Sequence, residues 1–254
     1  NYLQAMPIAE HPDVRLPIMV CQDGFITSHS VENIELLEDE AVKPFVGEYT
    51  PEHYLLKHEN PLAVGPYGVS AYYMEAKMAQ AQAMVNAKQV ILDVGKRFAA
   101  LTGRQYGLLE RYRMEDAEEA IVLIGSSAGT ARVCVDVLRA QGRRVGMIKV
   151  RVYRPFPAEE LAEALAHVQA VAVMDKCESF STHGGPLGSE LRSALYDAQL
   201  HPLLINFVYG LGGRDFAVTD CESVFDALRE ARKTGSAQPV YRHLGQRGGD
   251  LHGV

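Results

Sequence analysis

Four stretches of this chain combine residue types that do chemistry. Thr27-Ser28-His29-Ser30 sets three hydroxyls around one imidazole, a group of donors and acceptors suited to an anionic ligand or to a hydrogen-bond network at the wall of an active site. Gly125-Ser126-Ser127-Ala128-Gly129-Thr130 joins an apolar run to a helical pattern, the place where helix N–H groups gather and phosphates bind. It lacks the Lys-Ser/Thr pair that follows the second glycine of a P-loop and the third glycine of a dinucleotide fingerprint, so a turn that closes βα geometry is the expected role. His183, between Thr182 and Gly184-Gly185, is an acid or base by type, but no nucleophile with a defined partner is readable beside it. Gly210-Leu211-Gly212-Gly213-Arg214-Asp215 also precedes a helix, with Arg214 and Asp215 expected to pair and brace the loop. Cys21, Cys134, Cys177 and Cys221 are far apart and never form CxxC, so this chain alone is not expected to build a zinc or iron–sulfur site. Three of them fall in apolar patterns and read as buried thiols, whereas Cys177 follows a strand and reads as exposed.

The elements that must position these residues follow from periodicity. Ala120–Ile124 and Val145–Val150 are short apolar runs, and between them Val133, Val137 and Leu138 mark a helix capped by Ser126, Ser127 and Thr130. Gly142 ends that helix, with Arg143 and Arg144 at its carbonyl end. Strands joined through one helix are parallel, with a right-handed crossover. Arg154-Pro155-Phe156-Pro157 opens a helix over Ala158–His167, followed by a strand at Val168–Asp175, a Gly/Ser/His loop at Ser179–Gly188 and a helix at Ser189–Ala198. A strand at Pro202–Tyr209 and a helix at Thr219–Lys233, with Thr219 as cap and Glu222 completing a capping box, finish an α/β alternation.

Upstream the grammar is looser. Leu16–Cys21 reads as a strand delivering the Thr27–Ser30 cluster, and the acidic run within Val31–Val46 reads as a solvated face. Residues 44–68 are broken by four prolines and three glycines, a long connection of the kind that serves function or crosses a subunit boundary. Val69–Leu101 reads as one long helix with Met74, Met78, Ala81, Val85 and Leu92 on one stripe and Met84, Ile91 and Phe98 beside it, a face for a core or a subunit interface. Arg104–Glu119 reads as a charged linker, and the Gly- and Arg-rich end from Gly235 as an arm held by a partner.

At 254 residues, 47% hydrophobic and 22% charged, the chain has the composition of one large or two medium globular domains. Its net charge of −7 is spread evenly, with 10 basic against 14 acidic residues up to Arg113 and 15 against 18 beyond it. Such a surface offers nucleic acid or an anionic membrane no electrostatic reason to bind. No apolar run nears the ~20 residues of a membrane span, so a cytoplasmic setting is expected. The chain opens without Met and enters an apolar run early, and residues upstream of Asn1 are expected.

Taken in order, Asp23-Gly24-Phe25, Thr27-Ser28-His29, Tyr112 with Glu115-Asp116-Ala117, Gly125-Ser126 with Gly129-Thr130, Val145-Gly146, Arg154-Pro155-Phe156-Pro157 and Gly210–Asp215 make the chain resemble the α subunit of the 2-oxoacid:ferredoxin oxidoreductases, of which pyruvate:ferredoxin oxidoreductase is the best-known member. The resemblance runs from about Leu16 to about Arg232. It implies an α/β fold: residues 1–113 as the end portion of a pyrimidine-side thiamine-binding-type domain, 114–234 as a transketolase C-terminal-like domain with a mainly parallel sheet, and 235–254 as the C-terminal arm. It also implies an enzyme that cleaves a 2-oxoacid oxidatively with thiamine diphosphate and coenzyme A and passes electrons through 4Fe-4S iron–sulfur clusters to ferredoxin. Diphosphate and Mg2+ would sit on a beta subunit, and the clusters on gamma and iron–sulfur subunits. The family's cofactor-activating glutamate and substrate contacts precede the segment matched here, so no catalytic residue carries over; Thr27, Ser28 and His29 are the candidates for an active-site wall. Pyruvate is the expected substrate, with oxalate as an alternative within the family. A non-catalytic α/β assembly module and a nucleotide-dependent dehydrogenase are the competing classes, the second weakened by the missing fingerprint.

Overall fold

The structure is a computed structural model that describes residues 1–24, 26–181 and 183–247. Phe25, Thr182 and the last part of the expected arm, 248–254, lie outside the described residues. In chain order the elements are α1 (Tyr2–Ala9), α2 (Ile26–His29), α3 (Asp39–Val46), α4 (Tyr73–Thr102), β1 (Leu109–Tyr112), β2 (Glu119–Leu123), α5 (Ser127–Ala140), β3 (Val145–Val150), α6 (Ala158–Leu165), β4 (Ala170–Asp175), α7 (Pro186–Asp197), β5 (Leu203–Val208), α8 (Val218–Thr234) and β6 (Tyr241–His243). They fall into two compact units, one of residues 1–21 and 30–107 and the other of residues 22–29 and 108–254.

The regular elements of the first unit, among the described residues, are all helices: α1, α3 and α4. Val90, Ile91, Val94 and Phe98 of α4 are buried with Ala5 and Ile8 of α1, Val14 and Phe45 of α3. The Phe98 ring stands edge-on to Phe45 at 5.7 Å and tilted against Tyr106 at 5.9 Å. Glycine inside a helix costs about 1 kcal/mol against alanine, and Gly95 has a local reason for it: a Cβ there would stand 2.6 Å from the Tyr106 carbonyl oxygen. One expectation fails in this unit and another is met in part. Leu16–Cys21 forms no strand; no described segment pairs with it, Met19 is 86% exposed, and Cys21 is exposed instead of buried. An apolar run becomes a strand only where another backbone accepts and donates its hydrogen bonds. The long helix is real, but only its second half is buried, and Met78, on the expected stripe, is 64% exposed.

The second unit is a six-stranded sheet in the order β1-β3-β2-β4-β5-β6. Only β1 runs antiparallel to its neighbour; all other pairs are parallel. β2 and β4 are buried along their whole length, as strands covered on both faces must be, and this is why they read as continuous apolar runs. Ile121 and Leu123 of β2 pack with α5 and α8, while Ala120 and Val122 pack with α6 and α7. The buried stripe of α5 is Ala128, Ala131, Cys134, Val135 and Leu138, so the expected Val133 and Val137 are in fact on its outer side. Ala128, Ala131 and Cys134 let the helix lie close to the sheet beside Val135 and Leu138, and Val133 and Val137 are left facing water.

At the sheet's amino edge Glu119, 3% exposed, is held between Arg143 at 2.8 Å and Arg232 at 2.9 Å. Arg143 also donates to the Phe225 carbonyl and to Asp226. The stretch expected as a linker, Arg104–Glu119, carries β1, and residues 241–243 of the expected arm add β6 to the sheet edge. α8 starts at Val218, with the Ala217 N–H donated to the Asp220 carboxylate at 2.9 Å, so the expected Thr219–Glu222 box is two residues late and lacks the capping role.

Phe98→Ala removes a 4% exposed ring from the only described helical core of the first unit, and a loss of about 3–5 kcal/mol is expected. Urea unfolding followed by a probe of the first unit measures it; a loss below about 1 kcal/mol would show that the ring contributes little to that core.

Candidate functional site

The sheet order decides where a site forms. From β2 the chain passes through α5 to β3 on one side, then returns through α6 across β2 to β4 on the other. The turns leaving β2 and β4 therefore diverge to opposite faces, and a crevice opens between them at the carboxyl ends of the strands. A pocket of about 320 Å³ lies there, lined by Gly125 after β2, Tyr153 beyond β3, Lys176 and Cys177 after β4, Tyr209 after β5, and Asp23. Burial pushes the Tyr209 phenol up to about 12, so it stays neutral at physiological pH, and the Lys176 ammonium lies 5.6 Å from the centre of its ring.

Asp23 reaches the N-terminus of α5 from 103 residues upstream. Its Oδ2 accepts the Ser126 N–H at 2.6 Å, and its Oδ1 lies 3.4 Å from Lys176 Nζ. Burial alone would raise its pKa, but the Ser126 hydroxyl and N–H and the nearby ammonium outweigh that and hold the carboxyl below its ordinary value. The expected hydroxyl caps are absent: no side-chain hydrogen bond from Ser126 caps α5, and Asp23 fills that place. Gly125, at φ +81°, is required here twice over, since a Cβ would stand 2.9 Å from Asp23 Oδ2.

A second carboxylate closes the N-terminus of α7. Asp175, at the end of β4, accepts the Leu187 N–H at 2.9 Å and the Gly188 N–H at 3.0 Å. Asn206 of β5 donates to the same carboxylate at 2.8 Å and to the Val173 carbonyl at 2.9 Å, and accepts the Gly185 N–H at 2.6 Å. Both side chains are buried, and their close approach is what His183-Gly184-Gly185-Pro186-Leu187-Gly188 is built for. A Cβ on Gly185 would stand 2.4 Å from Asp175 Cγ, and one on Gly188 2.6 Å from Asn206 Cγ.

Further along the same edge, Glu178 accepts from the Tyr241 hydroxyl at 2.6 Å and the Phe180 N–H at 2.9 Å, and lies 2.7 Å from His243 Nε2. The Tyr241 and His243 hydrogen bonds bring its carboxyl down to about 2. Arg154 makes a two-pronged pair with Glu190 of α7 at 2.8 and 2.5 Å, fixing the turn after β3 to that helix. Arg214 does not pair with Asp215; it donates to the Gly245 carbonyl beside β6. His183 lies exposed in a turn. Thr27, Ser28 and His29 form the exposed single turn α2, with Ser28 Oγ 2.9 Å from His29 Nδ1.

Two family models match the chain in series: the thiamine diphosphate-binding domain of pyruvate flavodoxin/ferredoxin oxidoreductases over residues 1–96, and the pyruvate:ferredoxin oxidoreductase core domain II over residues 117–224. Pyruvate synthase subunit PorA of Thermotoga maritima is 44% identical over 243 residues, 96% of this chain and 61% of that protein. The Methanocaldococcus jannaschii subunit of the same name is 39% identical over 91% of this chain and 59% of its own length. Ketoisovalerate oxidoreductase subunit VorA of Pyrococcus abyssi is 38% identical over 92% of this chain and 58% of its own.

The chain belongs to the α subunits of the 2-oxoacid:ferredoxin oxidoreductase family. It spans about three-fifths of the length of the curated relatives it matches. A diphosphate does not fit the crevice of this family member, because both helix N-termini that border it already hold a carboxylate. Among the described residues no three His, Cys, Asp or Glu side chains group to hold a metal ion. Of the cysteines, Cys134 and Cys221 are buried thiols and Cys177 is exposed, as their sequence contexts suggest. Asp23, Asp175, Asn206 and Glu178 carry the polar geometry of the edge, and sequence reasoning assigned none of them this role. The readable signal was the glycine spacing 184, 185 and 188, which demands that something bulky and polar come close.

Gly185→Ala is expected to push the Asp175 carboxylate off the α7 N-terminus, leaving buried N–H groups unpaired, at a cost of about 1–3 kcal/mol. Denaturant unfolding of the sheet unit reads this out, and an unchanged midpoint would mean the carboxylate has room to move.

Proposed function

We propose that this chain is part of the α subunit of an enzyme complex that oxidatively cleaves a 2-oxoacid, with pyruvate first and 2-ketoisovalerate second among the substrates. The consecutive family matches carry this reading, and the relatives' names supply the two substrates. Thiamine diphosphate supplies the carbanion-stabilising chemistry when bound. Its diphosphate and Mg2+ are assigned to a beta subunit, because the anion-binding positions of the sheet unit described here are self-filled. Electron transfer through 4Fe-4S clusters to ferredoxin, and acyl capture by coenzyme A, belong in this reading to gamma and iron–sulfur partners.

The part left to this chain is to wall the site and keep water out, which two packed subunits do better than one open sheet. The exposed Met74 and Met78 of α4, with Tyr72 and Tyr73 beside them, offer apolar surface for such packing. Thr27, Ser28 and His29 are the residues proposed to face the reacting centre in the assembled enzyme.

The complex co-expressed with its partner subunits is expected to reduce a viologen dye in the presence of pyruvate and coenzyme A, and the chain alone is expected to do nothing. Dye reduction by the isolated chain, or none by a fully assembled complex with any of pyruvate, 2-ketoisovalerate or oxalate, overturns the reading. Equal activity of the complex with and without this chain would make it an assembly module instead.

His29→Ala in that complex is expected to lower turnover with an unchanged melting temperature, because the side chain is exposed and supports no core. Turnover within about twofold of the parent, ~0.4 kcal/mol of barrier, removes His29 from the wall.

A further inference from the structure

In a doubly wound sheet the helix N-terminus at the switch point is where a ligand's anion sits. Here that place is taken by Asp23, whose carboxylate lies on the Ser126 N–H at 2.6 Å and 3.4 Å from the Lys176 ammonium, over a glycine that leaves room for it. Segment 22–29 clusters with the sheet unit although the residues on either side of it, 1–21 and 30–107, form the other unit. Within the segment, the Asp23 side chain bonds to both strand-end turns, Ser126 after β2 and Lys176 after β4. α2, with Thr27, Ser28 and His29, follows it by three residues.

We infer that Asp23 is the resident anion of this site and a positioning residue for the reaction: its carboxylate acts as an internal ligand that seats segment 22–29, and with it the Thr27–His29 turn, at the carboxyl edge of the sheet. This deepens the proposal that Thr27–His29 wall the active site, and rests on it. Two consequences separate this role from that of an ordinary helix cap. Removing the side chain leaves a hole of carboxylate size, bordered by the Ser126 N–H and hydroxyl and by Lys176, that a free carboxylate can enter. A free carboxylate repairs the end of α5 but is not bonded to the segment, so it cannot seat α2.

The test compares Asp23→Ala, Asp23→Glu and the parent in the assembled complex, with and without acetate. Melting temperature reads the site, and hydrogen exchange at residues 24–30 together with turnover reads the segment. Asp23→Ala is expected to melt lower, to exchange faster at 24–30 and to lose turnover by about tenfold or more. Acetate should return its melting temperature toward that of the parent while leaving exchange and turnover impaired, and should leave the parent unchanged. Asp23→Glu, which keeps a carboxylate on the chain, should recover part of the turnover.

Restoration of all three readouts by acetate would reduce Asp23 to a cap and overturn the positioning role. Failure of acetate to shift the melting temperature would overturn the anion site. Parental exchange at 24–30 in Asp23→Ala would overturn the seating. Were the parent complex inactive on every 2-oxoacid, the functional reading would fall while melting and exchange still judged the seating of the segment. Were His29→Ala fully active while Asp23→Ala showed the expected split, the wall assignment alone would fall.

Discussion

A parallel sheet has one unavoidable electrostatic feature: every crossover helix points its N-terminus, with unpaired N–H groups and a partial positive charge, at the same edge. In this chain the two helix ends that meet at the switch point are satisfied from within, α5 by Asp23 and α7 by Asp175. Much else follows from the second. A carboxylate that is almost fully buried must have all its acceptor positions used, and Asn206 from the neighbouring strand supplies a further donor while taking the Gly185 N–H itself. The β4–β5 pairing sets this geometry, because Val173 and Asn206 are register partners and Asn206 also donates to the Val173 carbonyl. Glycines at 184, 185 and 188 are the space those two side chains occupy.

The opposite edge is pinned by charge of the other arrangement. Glu119 starts β2 beneath α5 and α8 and is bracketed by two arginines, one from the turn before β3 and one from α8. Removing one member of such a buried pair strands the other, at roughly 3–5 kcal/mol, so the network fixes where α8 lies across the sheet. Between the two polar edges the core divides cleanly by strand parity, each face of β2 and β4 closed by one pair of helices.

The second half of the chain was readable because its signals are local. Val145–Val150 is a strand with the same bounds in sequence and structure, and the alternation of apolar runs with glycine-terminated helical patterns gives an α/β unit directly. What escaped is non-local. Asp23 and Ser126 are 103 residues apart, and nothing in Asp-Gly-Phe says that its carboxylate caps a distant helix. Local cap chemistry therefore favoured Ser126, Ser127 and Thr130. Val133 and Val137 misled for a related reason: hydrophobicity ranks valine above alanine, but the stripe that packs on the sheet joins Val135 and Leu138 to the small Ala128, Ala131 and Cys134. Leu16–Cys21 has a strand's composition, and composition cannot supply the neighbour a strand requires.

The two units divide the work in a way that bears on the proposed complex. The sheet unit has already used, with its own aspartates, the sites where a doubly wound fold holds a ligand's phosphate, and it offers an incoming group only the walls of its crevice. The helical unit has the reverse character: α4 buries its second half and leaves Met74, Met78 and Val85 of its first half in water. Helical spacing of apolar residues costs stability and solubility when nothing covers it, so a stripe maintained over both halves is consistent with a partner on the outer one. In the proposed complex, a subunit of this kind would contribute apolar surface and the Thr-Ser-His turn, with charge-binding assigned to a partner chain. Segment 22–29 joins the two units: its chain neighbours belong to the helical unit, its own residues cluster with the sheet, and the carboxylate of Asp23 bonds it to the positive end of α5.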